Sequence, residues 1–408
     1  MNDIYNQLKS LGISVGIDSA KPHQDSLSKL AESLGGKNIS NHSGELILIE
    51  NQLPLEITLH QNAISPILLK WSKSFSQETI CFSDFLVLDI ETTGMMGWGN
   101  VYPFLIGLGR ISDANVIIQQ FLLTQPSQEI AQLLEIEAQL AKGKGLVTYN
   151  GKSFDIPIIT NRYRYYRTNP PFSEHIHLDL LHLTRRIWRD RLPNRALRNI
   201  EAEILDIQRA EDDIPGWLIP QIYSEFLQKN DPQLLLPILY HNQMDVYSLT
   251  RLFVNLNNIM ENPELIGFDF DEDQFALAKF YENQGYYDRA IIQYQDCIQK
   301  LQNQSLLQSI LENLALLYKK LKDYPKALPL WEKAAELGSI SAHVELAKYY
   351  EHHGKEITQA WLWTKRAIGI INQKNQVMDT IHWHPELQYR LERLERIIRL
   401  NKIDGGKP

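Results

Sequence analysis

Cysteine is nearly missing from this chain: Cys81 and Cys297 are the only two in 408 residues. They lie too far apart in sequence to frame a disulfide scaffold or a cysteine-based zinc site, so a reducing, cytoplasmic setting is expected. No apolar run reaches the length a membrane span needs. The opening MNDIYNQLKSLG lacks the basic, then apolar, then small-residue order of a secretory signal, so neither signal peptide nor membrane anchor is expected. A positive excess is also absent: 41 Lys and Arg face 49 Asp and Glu, a net charge of -8. That balance excludes indiscriminate adhesion to polyanions, but not a local basic surface. One stretch qualifies, because residues 162–198 hold nine arginines against Glu174, Asp179 and Asp190.

What is present points to more than one folded unit, since the length exceeds a single ordinary core. Residues 1–80 contain a polar Gly/Ser/Asn stretch and the strand-like ELILIE, and read as an appendage of unknown role. From Phe85 the pattern sharpens. FLVLDIE is a continuous apolar run ending in acids, as in a strand buried on both faces. VYPFLIGLGRI and NVIIQQFLLT form a predicted hairpin, residues 128–142 a helix, and GLVTYN another strand. The order is β-β-β-α-β within residues 81–262, closing on a long helix from Pro232 to about Met260. Residues 263–408 are helical throughout. Ala278, Ala315 and Ala347 recur in register with Ala290, Ala327 and Ala360, about 37 and then 32 to 33 residues apart. Alanines at such spacing in paired helices resemble the tetratricopeptide repeat, with HPELQYRLERLERIIRL as a capping helix.

The chemistry concentrates in acids. Asp89 and Glu91 alternate along one strand, so both carboxylates emerge from the same face near its end. Such a pair is costly unless a cation neutralises it, and hard oxygen donors select Mg²⁺ or Mn²⁺. YNGKSFD places Asp155 just beyond a second strand, and YHNQMDVYSL places Asp245 on a helix one turn after His241. Together with DIETTG these motifs resemble, in order and spacing, those of the DEDD superfamily of 3′-5′ exonucleases on a ribonuclease-H-like α/β fold. DIETTGMMGWGNVYPFLIGLGRI, DLLHLTRRIWRDRLPNRALRNIE, DIPGWLIPQIYSEFL and HNQMDVYSL resemble its YprB-like branch, which often carries tetratricopeptide repeats.

The resemblance implies two metal ions held by the four acids. Asp89 would bridge both, Glu91 and Asp245 would hold the water-activating ion, and Asp155 would support the other through water. It also implies a single-stranded nucleic acid or a 3′ end as substrate, and a protein partner bound through the repeats. A general base is required as well. His241 lies four residues before Asp245 and Tyr240 five, which reverses the family's usual spacing; neutral imidazole is the better proton acceptor near neutrality. Thr92, Thr93 and Gly94 would let a terminal nucleotide approach the backbone. Asn150 could orient Asp155 or merely end a strand, Lys152 could meet a phosphate, and Asp179 reads as structural. Arg185, Arg186 and Trp188 could contact phosphates and stack on a base, or form a solvated basic helix with one buried tryptophan. The competing reading is a catalytically silent, nuclease-like scaffold that works through its repeats.

Overall fold

In the computed structural model, residues 23–73, 78–94, 101–210, 213–301, 304–373 and 383–404 are described here. The chain divides into two units, one made of residues 1–185 and 194–267, the other of residues 186–193 and 268–408.

The first unit is built on β3 (Phe85–Thr92), whose long apolar run is buried on both faces as its sequence requires. Beside it run β4 (Pro103–Ser112) and β5 (Asn115–Leu122), the predicted hairpin. On its other side β6 (Gly145–Thr148) and β7 (Ile176–Asp179) add in parallel. The β-β-β-α-β order is present, with α3 (Glu129–Leu140) between β5 and β6.

Of the appendage expected over residues 1–80, residues 1–22 and 74–77 lie outside the described residues, while residues 37–54 are not separate from this sheet. After α1 (His23–Ser33), β1 (Lys37–Asn41) and β2 (Gly44–Pro54) extend it to seven strands in the order β1-β2-β5-β4-β3-β6-β7. ELILIE is only the middle of β2. Its alternation supplies both faces: Leu46 and Leu48 to one apolar cluster, Ile47 and Ile49 to the other. β2 shows little of its place in the sheet from sequence, because one of its partners, β5, lies some seventy residues ahead.

α3 and α4 (Asp155–Tyr165) cover one face of the sheet, packing on Leu86, Leu88 and Ile90. α2 is the short Pro66–Trp71 helix, α5 spans Leu180–Ile187 and α6 Leu197–Ile200. The opposite face receives α7 (Ile219–Lys229) and the 26-residue α8 (Leu236–Glu261). α8 runs antiparallel to β3: Phe253 meets Phe85 at 5.2 Å between ring centroids, while Asn242 reaches Asp89. Gly107 and Gly109 make this approach possible. A Cβ on Gly107 would stand 2.3 Å from Asn242 Oδ1 and 2.8 Å from Val246 Cγ2, and one on Gly109 would stand 2.7 Å from Val246 Cγ1. The former appendage also holds α8. Asn51 donates to Gln243 Oε1 at 2.7 Å, Tyr247 donates to the Pro54 carbonyl at 2.9 Å, and the Ser65 N–H donates to Asn257 Oδ1 at 2.7 Å.

The second unit consists of antiparallel helix pairs. After α9 (Pro263–Ile266), which closes the first unit, come α10 (Asp271–Gln284) with α11 (Tyr287–Lys300), α12 (Gln304–Lys320) with α13 (Tyr324–Glu336), and α14 (Ile340–His352) with α15 (Ile357–Gln373). α16 (Trp383–Asp404) follows. All six register alanines are fully buried, as close helix pairing demands. Among the described residues no helix is long and apolar enough to cross a membrane.

Gly107→Ala is expected to destabilise the protein by about 1–3 kcal/mol, because the added methyl overpacks the β4–α8 contact. Urea unfolding checks this, and an unchanged midpoint would show that α8 can shift without cost.

Candidate active site

Two successive inward positions of β3 carry Asp89 and Glu91, and the ladder shifts register between Glu91 and Thr92. A bulge at a strand end re-aims side chains and stops pairing, leaving this end of the sheet open. Across the strands, Asp89 pairs with Gly107 and Gly107 with Gln120, so the three share a row under α8. Asn242, fully buried, stands over that row and donates to Asp89 Oδ2 at 2.9 Å; its own Oδ1 accepts from Gln120 Nε2 at 2.9 Å. One amide therefore fixes one oxygen of Asp89 and leaves the other free.

Asp155 opens α4 immediately after the β6 loop and is 5% exposed. Asp179, at the end of β7, holds that loop. Its Oδ1 accepts from the N–H of Asn150 at 2.8 Å and its Oδ2 from the N–H of Lys152 at 3.0 Å. Asn150 adopts a left-handed φ of 65°, which an asparagine tolerates, and its carbonyl accepts from the N–H groups of Ser153 and Phe154. Asp179 thus sets the turn that delivers Asp155, the structural role its sequence context suggested. The Thr92 hydroxyl donates to the Gly94 carbonyl at 2.7 Å, while Thr93 is bonded through its backbone to Tyr102.

Asp245 and His241 sit one turn apart on α8, and both join a charge network that sequence reading missed. Arg209, its side chain 4% exposed, donates to both oxygens of Glu201, to Asp213 Oδ2 at 3.2 Å and to Asp245 Oδ1. His241 Nδ1 lies 3.0 Å from Asp213 Oδ1, and its Nε2 faces Asp245 Oδ2 at 3.7 Å. Tyr240 is engaged elsewhere, its hydroxyl accepting from the Ala210 N–H at 3.0 Å. Asp213 belongs to the DIPGWLIP motif and Asn242 to HNQMD, so both lay within recognised segments. Arg209 had no sequence signal, because its three carboxylate partners are dispersed over 44 residues.

The electrostatics tie the acids together. The Asp89 carboxyl is held well above the usual carboxylate range by burial first and then by Asp245 and Asp155. Glu91 is raised likewise, by burial and then by Asp89, Asp245 and Asp155. Burial and then Asp179 push Asp155 up to about 7. Asp245 is raised by burial against the lowering pull of Arg209 and His241. Asp89 and Asp245 each keep a solvent-facing edge, yet both feel their neighbours. Four carboxylates that resist one another's ionisation form a site suited, in charge and donor type, to a hard divalent cation. Their present positions are not yet a grip: among the described residues, no three His, Cys, Asp or Glu side chains are spaced to hold an ion. Asn242 on Asp89 and Arg209 on Asp245 account for two of the acids being turned toward protein donors.

The basic stretch contributes less than its sequence promised. Arg162 is buried against Glu129, and Arg191 pairs with Asp273 at 2.8 Å. Trp188 is 2% exposed and not available to stack on a base. It and Arg186 belong to the second unit, whereas Arg185 and Lys152 are exposed on the first.

A family model described as the ribonuclease H superfamily matches residues 86–257. The chain is 34% identical over 324 residues to the uncharacterized protein YprB of Bacillus subtilis, covering 78% of this chain and 73% of that protein. A family B DNA polymerase from the hyperthermophilic archaeon Pyrobaculum calidifontis aligns over 49% of this chain and 29% of its own, at 16% identity and a TM-score of 0.33.

In metal-free buffer, Asp155→Asn is expected to stabilise the protein at pH 8 and to be neutral below pH 4. The folded-state pKa is raised to about 7, so stability is fully present below the unfolded value and is lost as pH rises through 7. The gain at pH 8 is at most about 4 kcal/mol, and thermal melts across this range read it. A difference that does not vary with pH would contradict the raised carboxyl.

Proposed function

Because the chain belongs to the family of Bacillus subtilis YprB and carries a ribonuclease H superfamily domain, we propose that it is a metal-dependent 3′-5′ exonuclease acting on nucleic-acid ends. The observation that carries this reading is the gathering of Asp89, Glu91, Asp155 and Asp245, from β3, α4 and α8, into one mutually repelling group at the carboxyl end of β3. Mg²⁺ or Mn²⁺, two ions in this reading, would be held by these four acids and would supply Lewis-acid stabilisation at the phosphodiester.

The protein's own groups have separable tasks. Asp213 accepts the Nδ1 proton of His241, which leaves the Nε2 lone pair facing the acid cluster, where it can take a proton from an attacking water. Arg209 occupies Asp245 Oδ1 and leaves Oδ2 for the cluster, while Asn242 does the same for Asp89. Both acids are thereby limited to one outward oxygen. Thr92, buried at the last position of β3, and the half-buried Thr93 after it are small residues that would let a terminal nucleotide approach the backbone, and Arg185 and Lys152 are exposed cations of the same unit. The paired helices of the second unit, with their buried register alanines, support tetratricopeptide repeats that recruit a protein partner.

With 3′-labelled and 5′-labelled single-stranded DNA and RNA, Mg²⁺-dependent or Mn²⁺-dependent loss of nucleotides from the 3′ end is expected. Asp89→Ala and Asp245→Ala abolish it, His241→Ala lowers kcat by roughly 10²- to 10⁴-fold, and Tyr240→Phe leaves it near wild type. Activity that survives both aspartate changes, or no cleavage with either metal, would defeat the exonuclease and favour the silent scaffold.

A further inference from the structure

Among the described residues, Trp217 is the most exposed large apolar side chain, at 72%. A single exposed apolar residue is common and by itself means nothing. Two features set this one apart, its position and its rigidity. Its neighbour Gly216 stands beside the acid cluster: a Cβ there would lie 3.8 Å from His241 Nε2, the nitrogen that faces Asp245. Glycine at that position adds no side chain beside the imidazole, and the next residue along the turn is Trp217.

The turn carrying Trp217 is anchored at both ends. On one side Asp213 is bonded to Arg209 and His241, and Ile214 packs against the apolar cluster under α7. On the other side Ile219 and Tyr223 are buried in that same cluster. The turn itself is closed by the Leu218 N–H donating to the Pro215 carbonyl at 2.9 Å. Because the backbone of this turn is tied down, binding a flat partner on the indole needs ordering of the side chain alone and not of the loop.

We propose that Trp217 is a stacking platform for the nucleobase at the strand end that enters the acid cluster. This rests on the exonuclease reading, since a phosphodiester held at the acid cluster beside His241 lies next to Gly216, the residue before Trp217, and so near this turn. Every base offers a π-face, so the contact is indifferent to sequence, as an enzyme that removes successive nucleotides requires. Trp217 thereby takes the role that the sequence offered to Trp188, whose burial forbids it.

The test is binding by the full-length protein in the non-cleaving Asp89→Ala background, read by fluorescence anisotropy with 5′-labelled decathymidylate. A second decathymidylate, lacking its 3′-terminal base, is compared. Adding Trp217→Ala should weaken binding of the intact oligomer roughly 10-fold, and Trp217→Phe by no more than about 3-fold. The oligomer without its terminal base should be held equally with and without the indole, and the melting temperature should not change. Undiminished binding by Trp217→Ala, an equal loss on both oligomers, or a lowered melting temperature would overturn the platform while leaving the exonuclease reading in place. Failure of the parent protein to bind either oligomer would overturn both.

Discussion

The seating of α8 on β4 is the contact from which the site follows. Helices and sheets normally keep their backbones apart by the bulk of two side chains, but at Gly107 and Gly109 one of the two is missing. α8 sinks into that space until Asn242 can bond Asp89 directly. Once the helix is held there, its helical period puts His241 and Asp245 on the same side of the strand end. A wider seat would separate the α8 groups from the β3 acids, and the mutual raising of their ionisation would fade with distance.

Electrostatic cost shapes what surrounds this contact. Burying carboxylates together is tolerable only with neutralisation, and the protein supplies it unevenly. Asp245, Glu201 and Asp213 share the guanidinium of Arg209, whereas Asp179 is satisfied by backbone N–H groups. Glu91 is bonded by no other side chain among the described residues, and Asp155 keeps a strongly raised pKa. The unpaid charge is thus left on one side of the cluster, toward β3 and α4. Arg209 and Asp213 also link the site to the turn that carries Trp217, so the same ions that orient Asp245 and His241 hold the start of that turn.

The core strands were legible because each is a local pattern. FLVLDIE could only be a strand covered on both faces, and the hairpin that follows has its turn within the same stretch. The acids were legible for a related reason: Asp89 and Glu91 show their shared face by alternation, and His241 and Asp245 by helical spacing. The first two strands were not, since β2 pairs with a strand far along the chain and β1 is short and polar. Nor was the division of the arginines, because whether a guanidinium meets phosphate or is consumed by Glu129 or Asp273 depends on partners remote in sequence.

The sequence by itself determined the β-β-β-α-β order from Phe85 onward, the spacing of the four acids and of the histidine near Asp245, and the helical pairing of the second half, since all of these are written in periods of two, of three to four, or of a repeat. Only the tertiary structure decided which oxygen of Asp89 and of Asp245 meets a protein donor, which cation pairs with Asp245, which of two tryptophans is buried and which exposed, and that residues 37–54 belong to the sheet. Those outcomes are set by distances between residues far apart along the chain, which no local pattern encodes.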